Sequence, residues 1–195
     1  MIRSAAVTAV VLVASCTPVP PPEPADIGAD LAAIAPGTTY LIAETTDGTT
    51  VRYLETFAVG AEGLYAIERR LAARPGMAPI HVEQRDASGN LVLRGFESGS
   101  IETYLPHDCS HVIGTCTYLA RTGTAPYGER GSTVTRETTA SPDGWSYTVT
   151  MTLPSGETTV VERGMVIGTD AAGLPLRIES TDFRERDTVV TRTPR

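Results

Sequence analysis

The densest cluster of chemically active side chains runs His107-Asp108-Cys109-Ser110-His111 and ends at Cys116. Two imidazoles and two thiols are a donor set for tetrahedral zinc. The spacing His-x-Cys-x-His-x4-Cys, however, matches no zinc pattern. Ligands alternating along a strand would share one face, but a Cys109–Cys116 disulfide would consume both thiolates. An even pair of cysteines in an oxidising compartment reads as a disulfide. Ser110 to Thr115, which includes Gly114, can turn back to bring the sulfurs together. So short a loop contributes about 2–3 kcal/mol in the loop-entropy model. The disulfide is the expected reading. A metal site on His107, Cys109, His111 and Cys116, a Cys–His pair or an exchangeable redox disulfide is the alternative, although no C-x-x-C motif is present to lower a thiol pKa.

Other candidates carry less. Gly95-Phe96-Glu97-Ser98-Gly99 places its serine one position late for a nucleophile elbow. Gly128-Glu129-Arg130-Gly131-Ser132-Thr133 has the glycines of a phosphate loop but no Lys, and reads as a turn ahead of a strand. His81 lies in an expected strand and is read as structural. Trp145 follows an Asp-Gly turn and is expected to anchor a sheet face, with a ligand platform as the alternative. Paired carboxylates for glycoside hydrolysis leave no linear trace, so the 23 acidic residues decide nothing there. No catalytic residue and no cofactor is expected.

The formal charge of −7 argues against nucleic acid as a partner, because neutralising phosphates needs a basic face. All 16 basic residues are Arg, which removes Schiff-base chemistry and the phosphate-loop lysine. With 41% hydrophobic and 20% charged residues, the chain has the composition of a globular protein. Its 195 residues suffice for one domain.

The N-terminus carries an address. One charge at Arg3 precedes an apolar run from Ala5 to Ala14, interrupted only by Thr8. That run is too short to span a bilayer, which needs about 20 residues, but it fits the core of a secretory signal. It ends in Val13-Ala14-Ser15-Cys16, which resembles the lipobox of bacterial lipoproteins. The resemblance covers residues 1–16, with Val in place of the commoner Leu three positions before the Cys. It implies cleavage before Cys16, a diacylated Cys16 sulfur and attachment to a membrane through the N-terminal lipid. Two or more acyl chains anchor stably where one does not. Thr17, where an Asp often marks inner-membrane retention in that family, implies the outer membrane facing the periplasm. Pro18, Pro20, Pro21, Pro22 and Pro24 then form an extended tether of about 3.1 Å per residue.

The body must be built from strands. Tyr147, Val149, Met151 and Leu153 alternate with Ser146, Thr148, Thr150 and Thr152, as in a half-buried strand. Pro142-Asp143-Gly144 and Pro154-Ser155-Gly156 frame this run with turn signals. Tyr40–Glu44 meets Val51–Phe57 across Thr46-Asp47-Gly48, and His81–Arg85 meets Leu91–Phe96 across Ala87 to Asn90. Thr158–Arg163, Met165–Ile167, Leu176–Glu179 and Asp187–Thr193 continue the series. Gly63–Ala73 is ambiguous and reads as strand, and Ala25–Ile34 is a short helix candidate. The expected fold is all-β: an antiparallel meander forming an open or closed barrel or a sandwich, with at most one or two short helices.

The expected organisation is a signal at 1–15, anchor and tether at 16–36 and an antiparallel β domain at 37–195. Thr, Arg and Glu at the outer positions mark one wet face, and an apolar inner face would cradle an apolar ligand. In hairpin spacing, anchor and size the chain is similar to the lipoprotein-localisation carriers, which fold as an unclosed β-barrel around lipid. The resemblance carries over no functional position. The expected function is a non-enzymatic envelope lipoprotein that binds a protein partner or an apolar ligand, or has a structural role. An envelope enzyme or metal or redox protein using His107–Cys116 is the alternative.

Overall fold

The computed structural model describes residues 25–60, 63–124 and 127–195. The signal, Cys16 and the proline tether lie outside these residues.

Twelve strands follow one another as an up-and-down meander. A two-residue strand, β1 (Ala25–Asp26), comes first and pairs with the start of β8. The first half of the barrel is β2 (Thr39–Thr46), β3 (Thr49–Val59), β4 (Tyr65–Leu71), β5 (His81–Arg85), β6 (Leu91–Phe96) and β7 (Ser100–Leu105). The second half is β8 (Val112–Thr124), β9 (Tyr127–Ser141), β10 (Gly144–Thr152), β11 (Thr158–Thr169), β12 (Pro175–Asp182) and β13 (Asp187–Pro194). Every neighbouring pair is antiparallel. The ring closes where β13 pairs with β2, Val190 opposite Glu44 and Arg192 opposite Ile42. Closure removes the exposed edges that invite aggregation. The sheet is therefore shut, unlike the unclosed barrel that the carrier resemblance implies.

The expected alternation on β10 holds through Met151. Trp145, Tyr147 and Val149 are buried inside, while Ser146, Thr148, Thr150 and Thr152 face outward. Thr133, Thr135, Glu137 and Thr139 continue this polar outer face on β9. Gly63–Ala73 contains β4, as read. The runs Thr158–Arg163 and Met165–Ile167 are one strand, β11, passing through Gly164. Gly128–Thr133 lies within β9 rather than in a turn ahead of a strand, because its pairing with β8 continues through Arg130–Thr122.

Ala25–Ile34 is not an α-helix. After β1 it makes a single 3-10 turn at Leu31–Ala33, and it folds into one end of the barrel as a plug. Its backbone is held by loops of the barrel rim: Ile27 N–H donates to His111 O, Leu31 N–H to Ala87 O and Asp30 N–H to Ala172 O. Leu31 is fully buried among Phe57, Ile67, Ile42 and Leu174. Gly173, at φ +78°, makes this seat possible, since a Cβ there would lie 2.6 Å from Gly28 O. The packed part of the chain thus begins ahead of residue 37.

Because Leu31 fills a closed apolar end, Leu31→Ala is expected to destabilise the barrel by about 2–5 kcal/mol, read as a lowered midpoint in equilibrium urea unfolding. A change below about 0.5 kcal/mol would show that the plug does not contribute to the core.

Candidate functional site

Burial of the inward side chains rises from one end of the barrel to the other. On β3, Val51 is exposed, Tyr53 half-buried, and Glu55 and Phe57 buried. On β8, Thr124 and Thr122 are exposed, Ala120 half-buried and Tyr118 buried. The barrel is therefore open at the end that carries the Asp47-Gly48 turn and shut at the plugged end.

Between the two ends the inner face is charged. Strand β5 presents His81, Glu83 and Arg85 inward and turns Val82 outward, the reverse of an apolar-inside pattern. Glu83, 2% exposed, is clamped side-on by two guanidinium groups. Arg85 Nε and Nη2 donate to Oε2 at 2.9 and 2.7 Å, and Arg94 Nε and Nη2 donate to Oε1 at 3.0 and 2.8 Å. Glu55, 1% exposed, accepts from Arg69 on β4 and, at 2.8 Å, from Arg192 on β13. Burial alone would raise both carboxyl pKa values. Arg192 and Arg69 outweigh it at Glu55 and bring that group to about 2. Arg85 and Arg94 do the same at Glu83, well below the carboxylate range. His81 Nε2 sits 3.5 Å from Glu83, but burial and the nearby Arg69 push the imidazole down to about 4, so it is neutral at pH 7.

Next to this layer lies a cavity of about 260 Å³. Arg85, Arg94 and Arg192 reach it from the paired layer, and Arg136, Glu162, Trp145, Tyr147, Asp108 and His111 complete its polar wall. Local structure positions each. Gly164 leaves room for the Tyr147 ring, because a Cβ there would come 2.5 Å from the phenol oxygen. The ring then lies flat beneath Arg136, 3.8 Å from Cζ to centroid, and its hydroxyl donates to Glu162 at 2.7 Å. His111 hangs from the rim: its N–H donates to Asn90 Oδ1, and Asn90 is itself held by Asp86. Asp108 Oδ1 accepts from Leu91 and Ser110 N–H, fixing the same rim loop. Several buried atoms at this cavity lack a hydrogen-bond partner: His111 Nε2, Arg136 Nε, Trp145 Nε1 and Arg192 Nε. Among the described residues no carboxylate pairs with Arg136.

The residues singled out from the sequence fall in two places. Cys109 and Cys116 form a disulfide, joining the rim loop to β8 with Cα atoms 6.1 Å apart. His107 lies beside it, its Nδ1 accepting from Cys109 N–H, and one of its ring nitrogens lies within 4.8 Å of both sulfurs. The disulfide leaves no thiolate for a metal. His111 turns the other way, to Ser110 and to Trp145, whose ring centroid is 6.0 Å away. The set His107, Cys109, His111 and Cys116 is thus split between rim and lumen. Trp145 is both core and cavity wall. Sequence reading missed Glu55, Arg69, Glu83, Arg85, Arg94, Arg136, Glu162 and Arg192. The inward period of His81-Glu83-Arg85 was the available signal.

No protein-family model matches the chain, and no curated protein or solved structure is significantly similar to it. The chemistry of the lumen therefore carries the functional reading.

Replacing Glu83 by Gln strands two cations near a desolvated amide, and is expected to cost about 3 kcal/mol in urea unfolding. A loss below about 1 kcal/mol would place the cluster in effectively open solvent. A second expectation concerns pH. The folded pKa of His81 is about 4, below the ordinary 6.5, so the unfolded chain binds the proton first. Its contribution is complete above pH 6.5 and is lost as pH falls through 4. His111, lowered by burial and Arg85, acts in the same direction. Unfolding midpoints should fall from pH 7 to pH 5, and His81→Gln should flatten part of that slope. An unchanged slope in the variant would contradict the assignment.

Proposed function

We propose that the chain is a lipid-anchored lipoprotein of the bacterial envelope whose closed barrel is a non-enzymatic binding domain, with the lumen as its site. The observation that carries the binding reading is the cavity, walled by buried polar atoms that the protein leaves without partners. Natural interiors pair nearly all such groups, and clustered exceptions at a cavity point to a ligand or ordered water. The polar outer face of β9 and β10 favours a barrel standing in water, held to the membrane by its lipid rather than by its strands. The anchor reading rests on Val13-Ala14-Ser15-Cys16 and the prolines that follow.

Luminal charge redirects the expected ligand. An apolar molecule would bury the unpartnered Nε atoms of Arg136 and Arg192 and the donors of Trp145 and His111 without giving them an acceptor, which is costly. Glu55 and Glu83 beside the cavity serve as counter-charges, Asp108 anchors the rim loop and Glu162 accepts from the Tyr147 hydroxyl, which weighs against general acid–base chemistry there. A protein partner would use the outer surface and leaves the unpaired luminal atoms unexplained.

Intact mass of the protein taken from membrane fractions tests the anchor. Residues 16–195 plus two or three acyl chains are expected, with a gain of about two protons on reduction of the disulfide. Cys16→Ser should abolish the acyl mass and leave residues 1–15 attached. An unacylated mass in membranes, or an acyl mass retained by the variant, would overturn the address.

A further inference from the structure

We propose that the luminal cavity binds a small organic acid through an oxyanion group, with Arg136 as its charge partner. This deepens the luminal-binding reading and rests on it. Four guanidinium groups and only two carboxylates, Asp108 and Glu162, line the cavity. Three of the four cations are accounted for: Glu83 holds Arg85 and Arg94, and Glu55 holds Arg192. Arg136 is left with the face of Tyr147 and with a buried Nε that donates to nothing. A half-buried guanidinium whose Nε is buried without an acceptor, and which makes no ion pair among the described residues, is a feature that an anion would satisfy.

The neighbouring groups fit the same ligand. Trp145, 5% exposed, can only donate, and its Nε1 is unpartnered. His111, 3% exposed, has Nδ1 3.1 Å from Ser110 Oγ. With that hydroxyl donating, the ring proton sits on Nε2, a second unpartnered donor at the cavity. Unpartnered donors from three strands or loops thus line one cavity, while its two carboxylates are bonded elsewhere, Asp108 to the Leu91 and Ser110 N–H groups and Glu162 to the Tyr147 hydroxyl. Size narrows the class. At about 260 Å³ the cavity falls below the roughly 300–1,000 Å³ of sites for drug-sized molecules, so it admits a compact acid and no lipid chain.

Trp145 is the only tryptophan in the chain, so its fluorescence reports this cavity alone. The full mature protein, extracted from membranes in mild detergent, is titrated with succinate and benzoate, with the matching amides, and with inorganic phosphate. The proposal expects a saturable change in Trp145 emission with a carboxylate or with phosphate, and none with the amides. Whichever anion binds identifies the source of the oxyanion. Arg136→Gln should weaken that binding by about tenfold or more, and Arg136→Lys should recover part of it. Unfolding midpoints of the unliganded variants control for folding. Equal binding of acid and amide, or full affinity in Arg136→Gln, would overturn recognition by charge while leaving luminal binding intact. Silence of Trp145 to every probe, with the protein folded, would remove the luminal-binding reading itself.

Discussion

A closed sheet of twelve strands encloses more space than one layer of apolar side chains can fill. Eight strands leave an interior that side chains just close, and sixteen or more leave an aqueous channel. This barrel lies between those limits, and its contents follow from that geometry. The shut end is filled by chain, with Leu31 and Ile34 carried in on the plug and Cys109 on the rim loop. The middle is filled by the longest side chains available, Arg69, Arg85, Arg94 and Arg192. They can be there only because Glu55 and Glu83 meet them at hydrogen-bonding distance.

Those pairs also give the ring its cross-links. Glu55 on β3 ties β4 to β13 across the closure seam, and Glu83 on β5 ties β5 to β6. Removing one partner is worse than never having had the pair, since the remaining charge stays desolvated. Rigid pairing on one side leaves the cavity on the other, where Arg136 and Tyr147 stack and the rim donors point inward. The cavity exists because the barrel is too wide for its own side chains.

Much of the fold was legible in the sequence. Alternation from Ser146, turns such as Asp47-Gly48 and Pro154-Ser155-Gly156, and hairpin spacing led to an antiparallel meander, which is what forms. The Cys109–Cys116 pair was legible from the cysteine count. Less visible were β7, β8 and β9, where Thr, Gly and Arg occupy both faces and the period-2 contrast fades. Gly164 looked like a break because a strand rarely needs a side chain removed; here Tyr147 needs the space. The luminal site was hidden for a different reason. Reading apolar residues as inward fails in a wide barrel, where His81-Glu83-Arg85 faces in. Arg192 and Glu55 lie 137 residues apart in the chain, so no local pattern announces their pairing.

The luminal carboxylates are desolvated and held ionised by guanidinium groups. Carbon-13 NMR titration of the glutamate side-chain carboxyls, with Glu55 and Glu83 assigned by Gln substitution, tests this directly. The two resonances should remain those of ionised carboxylates through pH 4, with Glu55 taking up its proton near pH 2, while exposed glutamates titrate at about 4.3. Titration of Glu55 and Glu83 together with the exposed groups would mean a water-filled, unpaired lumen, and would contradict the structure-based account of both stability and site.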